Sequence, residues 1–537
     1  KPTRQNLHLS HMLQQWNNVL LHLRTNKITW LFIIAAVLLF TGIGAAPMYI
    51  LDEARNAQAA REMMERHDWI VPTFNGELRA HKPPLHYYFM QLAYHAFGMN
   101  AFAARFFSAL FGWLTLWITW YFTRRFVSYG TAIWSVAVLL VSTHFLFEFR
   151  MSVPDPYLIF FITAGILCFY AYAQERKLKW LIGSAVAAAL ATLAKGPVAL
   201  ALPGAVLVWW VVSQKKYELL FSWKMILYMG VIVLVALPWY VLVHQATNGE
   251  FTRIFFFEHN FNRFGEPMEG HGGLFIMVPL FVLLGLLPIS VFMAELAKKT
   301  RSFHTNPFIR LSMYVTVVFI VFFSISGTKL PNYPMPCYPF VAILLGYFIN
   351  KVITGQNQVK QYPLWLLLAL NLLLLTAAWI GLGLETATQP FRGWALLFII
   401  PVLTAATSWW FFKKEGLKKA MHAIIAGYSV FNLLFLAIGY PAVYRLNPVT
   451  KTLPLLQADE QVYSYKIYNP AFNFYLNKPV QVLDDAAAVT RVLTAHPQAV
   501  VISRESLLPE LEPLPYKLLA KERDLFETAT TVLISGK

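Results

Sequence analysis

From residue 28 to residue 440 the chain is a succession of apolar runs, each close to the roughly 20 residues a helix needs to cross a bilayer. The runs cover 28–51, 101–123, 131–149, 156–174, 180–195, 197–213, 223–245, 273–296, 308–327, 335–350, 363–383, 393–412 and 419–440. Within lipid, backbone polar groups must be satisfied inside the element or a closed barrel, so this pattern reads as a bundle of about thirteen helical spans. Of the 537 residues, 57% are apolar and only 13% charged, whereas soluble domains carry about 25% charge. The expected fold class is therefore an all-α polytopic membrane bundle. Composition changes after residue 440. Residues 453–537 mix charges with short β-type runs (QVYSY, AVVIS, TVLIS) around a helical stretch, DDAAAVTRVLTAH, and read as a small α/β domain. The organisation expected is a basic N-terminus at 1–27 with an interfacial helix around HMLQQWNNVLLHL, a membrane domain at 28–440, and an α/β domain at 441–537. The chain opens on Lys1 without a Met, so some preceding residues are expected, and this end lacks a signal-peptide pattern.

The formal charge of +17 would suggest nucleic acid in a soluble domain. Here topology accounts for most of it. Alternate connections carry the clusters Arg124–Arg125; Arg176, Lys177 and Lys179; Lys215, Lys216 and Lys224; Lys298, Lys299 and Arg301; Lys351 and Lys360; and Lys413, Lys414, Lys418 and Lys419. By the positive-inside rule these loops and the N-terminus are cytoplasmic, in contact with inner-leaflet lipids rather than nucleic acid. An odd number of spans then leaves the C-terminal domain outside.

The opposite connections are poorer in charge, and their charges stand singly. Residues 49–88 form a polar island holding Asp52, Glu53, Arg55, Arg61, Glu62, His67, Asp68, Glu77, Arg79, His81 and Lys82. Arg150, Asp155, Lys195, the segment 246–272, Lys329 and Arg392 complete the outer set. Basic residues on this side oppose the topology rule; snorkelling to headgroups is one reason for them, and a functional site is the other. The cations Lys82, Arg55, Lys195, Arg253, Arg263 and Lys329 suit a phosphate or pyrophosphate. Asp52 and Asp155 each stand at the outer edge of a span, and two carboxylates beside basic groups suit a general base with a helper or a divalent metal such as zinc or magnesium. His81, His259 and His271 are possible ligands without a local motif. In HKPPL the two prolines fix an extended backbone that presents Lys82 rigidly. Ala57, Ala60, Met63 and Met64 recur at helical spacing, which reads as an amphipathic helix lying on the bilayer. Walker A, GxGxxG, GxSxG and HExxH patterns are absent, and two cysteines form no metal or disulfide framework.

The ordered set LDEAR, DWIVPTFNG, HKPPLHYY, an Asp near the fourth span, LAKGP, LPWY, FFFEHNFNRF and GTKLPNYPMPCYP resembles the lipid A aminoarabinose transferase branch of the protein-mannosyltransferase-like enzymes. The resemblance implies a GT-C fold of about thirteen spans in a bacterial inner membrane, with juxtamembrane helices in the first outer loop (52–100), a second catalytic loop at 246–272 and a periplasmic domain. It implies an inverting glycosyltransferase that takes a sugar, in this branch 4-amino-4-deoxy-L-arabinose, from undecaprenyl phosphate and passes it to a lipid A phosphate on the periplasmic face. By the same resemblance Asp52 and Glu53 occupy the DE motif and Asp155 the second carboxylate. Lys82, Arg55, Arg263 and Tyr333 fall on donor-phosphate positions, to which the residue reading adds Lys195 and Lys329. His81 replaces a Glu that helps hold a metal in close relatives, and His259 matches a His of the large loop. After Arg263 the chain reads GEPMEGHGGLFIMVP, without the aromatic pair expected there. Two alternatives stay open. The same donor chemistry could serve a protein or another glycan, and a lipid-linked-sugar flippase would also need many spans and membrane-edge charge, although no inverted repeat is visible.

Overall fold

The computed structural model describes residues 27–262, 272–299, 306–456, 461–512 and 514–537, with backbone only at 27 and 259–262. The expected interfacial N-terminal helix, Arg263, His271 and the side chain of His259 lie outside the described residues.

Nine helices among the described residues are long and apolar enough to cross a membrane. A tenth crossing results if Met277–Gly285 and Ile289–Ala297, bent by 118° at their junction, are one broken span. Three further expected runs form shorter apolar helices, two of them cut by a local cause and the third, 197–213, short as expected. Helix α1 (Lys27–Phe40) gives way to a turn at Gly42, whose φ of +70° ends it. The run at 131–149 is split into α5 (Tyr129–Val141) and α6 (Thr143–Glu148) by Ser142. The Ser142 hydroxyl accepts from the Phe145 N–H at 3.1 Å, capping α6 while terminating α5. Val198–Ser213 starts only after Gly196 (φ +88°) and Pro197. Burial separates central from peripheral spans. In α7 (Asp155–Glu175) 89% of the apolar window is buried, against 11% in Tyr362–Leu384, which therefore presents most of its surface to lipid.

The first outer loop is almost entirely structured. It contains α2 (Leu51–Glu65), a hairpin of β1 (Thr73–Phe74) and β2 (Glu77–Leu78), and α3 (Leu85–Phe97), which leads into the span α4 (Ala101–Phe126). The hairpin turns on Asn75 (φ +57°) and Gly76 (φ +83°), the Asn-Gly pair whose left-handed conformations match the strand twist. Helix α2 corrects the sequence-based expectation of a helix lying on the bilayer. Ala57, Ala60 and Met63 are fully buried and pack with Tyr87, Met90 and Tyr94 of α3, Ala103 and Ala104 of α4, and Phe474 of the C-terminal domain. Periodicity showed that one face is apolar; it cannot distinguish lipid from protein as the cover.

The C-terminal domain is a five-stranded sheet ordered β4-β3-β5-β7-β6, built from β3 (Val462–Tyr465), β4 (Gln481–Leu483), β5 (Val500–Arg504), β6 (Tyr516–Arg523) and β7 (Thr530–Gly536). Strand β3 runs parallel to both neighbours, and β7 antiparallel to β5 and β6. Its core cluster of Val462, Phe472, Val500, Ile502 and Leu533 also contains Tyr49 and Ala54 of the opening stretch. The membrane domain thus contributes side chains to the soluble domain's core.

Candidate active site

Helix α7 places Asp155 at its first position, where the unsatisfied N–H groups favour a carboxylate. The adjacent helix α8 (Leu178–Lys195) ends on Lys195, and the Lys195 ammonium donates to Asp155 Oδ1 at 2.5 Å. The same ammonium lies 5.0 Å from the centre of the Tyr333 ring. Glu148, the last residue of α6, is buried beside this pair: the charges of Asp155 and Lys195 both act on it, and Asn332 hydrogen-bonds its carboxylate. The other carboxylate oxygen, Oε1, is buried without a hydrogen-bond partner among the described residues. Two carboxylates, one ammonium and a tyrosine ring thus converge from four chain segments. The sequence analysis selected Asp155, Lys195 and Tyr333 and missed Glu148. The signal was present, a lone Glu at the end of an apolar run, but a carboxylate next to Arg150 reads as an ordinary ion pair. Arg150 is engaged elsewhere, donating to the backbone carbonyls of Leu38, Leu39, Thr41 and Leu436 and tying the outer end of α1 to the last span.

The opening stretch supplies a second cluster. Asp52 and Glu53 are neighbours, and a helix turns by about 100° between consecutive residues, so their side chains diverge. Asp52 is exposed. Glu53 is 1% exposed and receives Arg105 in a fork, at 2.6 Å from Nε and 2.7 Å from Nη2. It also accepts from the Ser152 N–H at 2.9 Å and hydroxyl at 3.1 Å. Arg105 completes its donors on the carbonyls of Ile43, Ala46 and Pro47. Glu53 is thus committed to holding the loop after α1, the start of α2 and the loop before α7 together. Arg105, inside the run at 101–123, was not singled out from sequence.

Arg79 donates to Asn56 Oδ1 at 2.9 Å and to the Tyr87 hydroxyl at 3.2 Å. Burial raises the pKa of that hydroxyl, and the Asp52 charge also reaches it, so it stays protonated. Asn56 in turn donates to the Ser152 carbonyl at 3.4 Å. Ser152 sits between Glu148 and Asp155, so the two clusters meet on one short loop. Lys82 is half-buried at the entrance to α3, and His81 beside it is exposed. His86 is fully buried; burial, with the charges of Arg79 and Lys82, pushes its pKa well below the ordinary imidazole range. Arg55 is half-buried, makes no hydrogen bond or ion pair among the described residues, and reaches electrostatically to Tyr468 of the C-terminal domain. The remaining cations stand apart. Lys329 donates to the Ser326 carbonyl at 2.7 Å with its stem beside Gly273, while Arg253 pairs with Glu258 at 3.1 Å on the surface. Among the described residues no group of three or more His, Cys, Asp or Glu has the geometry to hold a metal ion. Of the two residues that suggested a metal, His81 is exposed and the side chain of His259 lies outside the described residues.

The geometry sets Lys195 between a carboxylate and a tyrosine ring, with a second carboxylate beside them. Comparison with known proteins gives this arrangement a family. The model of the dolichyl-phosphate-mannose-protein mannosyltransferase family matches residues 28–251, which span both clusters apart from Tyr333 and Asn332. The chain is 30% identical over 304 residues to an uncharacterised protein of Aquifex aeolicus, covering 56% of this chain and 68% of that one. It is also 30% identical over 343 residues to the undecaprenyl phosphate-alpha-4-amino-4-deoxy-L-arabinose arabinosyl transferase of Edwardsiella ictaluri, covering 62% of this chain and 61% of that enzyme. The chain belongs to the protein-mannosyltransferase-like GT-C enzymes. This GT-C enzyme is a polyprenyl-phosphate-dependent glycosyltransferase. The fold agrees: the crystal structure of ArnT from Cupriavidus metallidurans bound to undecaprenyl phosphate superposes with a TM-score of 0.78 over 94% of this chain and 97% of that one, at 21% identity.

Proposed function

We propose that this GT-C enzyme transfers 4-amino-4-deoxy-L-arabinose from undecaprenyl phosphate to a phosphate of a lipid A-type acceptor. In this reading the bundle has thirteen spans, the three short helices and the bent pair included, and works in a bacterial inner membrane with its site on the periplasmic side. The observation that carries the proposal is the convergence of Asp155, Lys195, Tyr333 and Glu148.

The donor's C1–O bond to the carrier phosphate breaks, its electron pair leaves with that phosphate, and an acceptor phosphate oxygen attacks C1 from the opposite face. Configuration inverts, and no proton must be removed from an anionic acceptor. Lys82, Arg55 and Arg263 contact the leaving phosphate and stabilise its developing charge, with Lys195 and Tyr333 shaping the same side. Asp52 positions the acceptor. Asp155 holds Lys195, and Glu53 acts as a positioning residue through Arg105 and Ser152.

Membranes carrying the protein, given radiolabelled undecaprenyl-phosphate sugar, test the reading. Label moving to lipid A, with loss in Lys82→Ala and Asp52→Asn, supports it. Label moving to peptide or glycan instead, or undiminished transfer in both variants, refutes it.

A further inference from the structure

A cavity of about 540 Å3 touches the described clusters only at Ala46 and Pro47, whose carbonyls hold Arg105. It opens where the loop after α1, the N-terminus of α4, helix α2, the end of the last span and the C-terminal domain meet. Arg61 of α2 lines it, nine residues after Asp52, which is two and a half turns and so the opposite face of the helix.

Two arginines and no carboxylate line this space. Arg61 is only 5% exposed, yet it makes no ion pair among the described residues. Its Nη1 donates to the Phe474 carbonyl at 2.8 Å, its guanidinium lies 4.9 Å from the Phe474 ring centre, and its buried Nε has no hydrogen-bond partner among the described residues. Arg445 donates only to the Ala45 carbonyl, at 3.3 Å, and has no ion pair among the described residues. The Tyr475 hydroxyl, also on the wall, accepts from the Met48 N–H and keeps its own proton to give. Glu65 and Glu62 reach Arg61 electrostatically but form no ion pair with it. A buried guanidinium without an ion-pair partner is costly, and an anion held between the two arginines removes that cost.

The rim identifies the source of the anion. Met99 lines the cavity and is 38% exposed, and beside it Phe97 (44%) and Phe102 (36%) stand exposed in edge-to-face contact at 5.4 Å. These residues flank the first turn of α4, where a span leaves the outer surface and aromatic side chains sit at headgroup level. We infer that the cavity binds the phosphate headgroup of an outer-leaflet lipid, held between Arg61 and Arg445 and bridging the membrane and C-terminal domains. The inference does not depend on the sugar or the acceptor.

The test uses full-length protein, delipidated in detergent and examined by native mass spectrometry after adding phosphatidylglycerol, diacylglycerol or inorganic phosphate in turn. Wild type is expected to retain one phosphatidylglycerol and no diacylglycerol. Arg445→Ala and Arg61→Gln should lose that lipid about tenfold or more. Equal retention of diacylglycerol, binding of inorganic phosphate but not the lipid, or unchanged lipid in the variants overturns it. If Arg61→Gln does not fold, Arg445→Ala and Arg445→Gln decide alone, since Arg445 lies at the surface.

Discussion

Lys195 ends one membrane helix and Asp155 begins the preceding one, and the two side chains meet at 2.5 Å. Both are largely shielded from water, at 17% and 7% side-chain exposure, so neither charge can be removed without consequence for the other. Glu148 is close enough to feel both. Lys195→Met is expected to lower transfer by about 10²–10³-fold, the magnitude typical of losing one preorganised charge in a water-poor site. Lys195→Arg should recover little, because a planar fork does not replace a point charge over the Tyr333 ring. The measure is single-turnover transfer in membranes; wild-type rates in Lys195→Met would assign the pair a purely structural role.

Asp52 and Glu53 should separate cleanly by readout. Glu53→Gln leaves Arg105 buried with no counter-charge, and a loss of roughly 3–5 kcal/mol of stability is expected. Asp52→Asn alters an exposed side chain, so its melting temperature should stay near wild type while transfer falls. Thermal unfolding in detergent, run beside the transfer assay, distinguishes them, and the reverse pattern would exchange the roles assigned to the two carboxylates.

His86 predicts an acid limb. Its folded pKa is depressed by burial and by Arg79 and Lys82, whereas the unfolded imidazole titrates near about 6.5. Between these values the unfolded chain binds the extra proton, so stability present above pH ~6.5 is lost as pH falls below it. His86→Gln should flatten the dependence of melting temperature on pH between about 6.5 and 5. An unchanged slope would place the acid sensitivity elsewhere.

Asn75 docks the first loop on the C-terminal domain. It donates to the Val480 carbonyl at 2.9 Å and accepts from the Asn473 side chain and the Val480 N–H, both at 2.8 Å. Glu62 holds the hairpin from the other side, accepting from Thr73 Oγ1 at 2.6 Å and the Asn75 N–H at 2.8 Å. Asn75→Ala removes three hydrogen bonds at about 1 kcal/mol each and adds strain at a positive φ. Proteolysis of the C-terminal domain should accelerate accordingly, and less so in Asn75→Asp, which keeps the acceptor oxygen and tolerates the turn.

The bundle was legible because a span must be apolar whatever it packs against, and span apolarity survives in any single sequence. Length was less legible: Gly42 and Ser142 shorten two runs through backbone geometry that apolar content does not register. At the site, Asp155, Lys195 and Tyr333 were legible as polar residues at span ends, and the structure brings them together. Arg105 and Glu148 were not, since inside a run a charge discloses its partner only once helices are packed. Glu53 was legible as important but not for the reason, because a sequence places it next to Asp52 while the helix turns it inward. The apolar stripe of α2 identified a buried face and left its cover open.

That cover has a consequence for how the molecule can be divided. Tyr49 and Ala54 belong to the soluble domain's core, Met48 bonds Tyr475, Arg61 bonds Phe474, and Asn75 bonds Val480. A chimera cut at residue 440 would graft a foreign sheet onto a surface moulded for another. The heritable module is discontinuous: the first outer loop and the C-terminal domain travel together, and a transplant that moves one must move both.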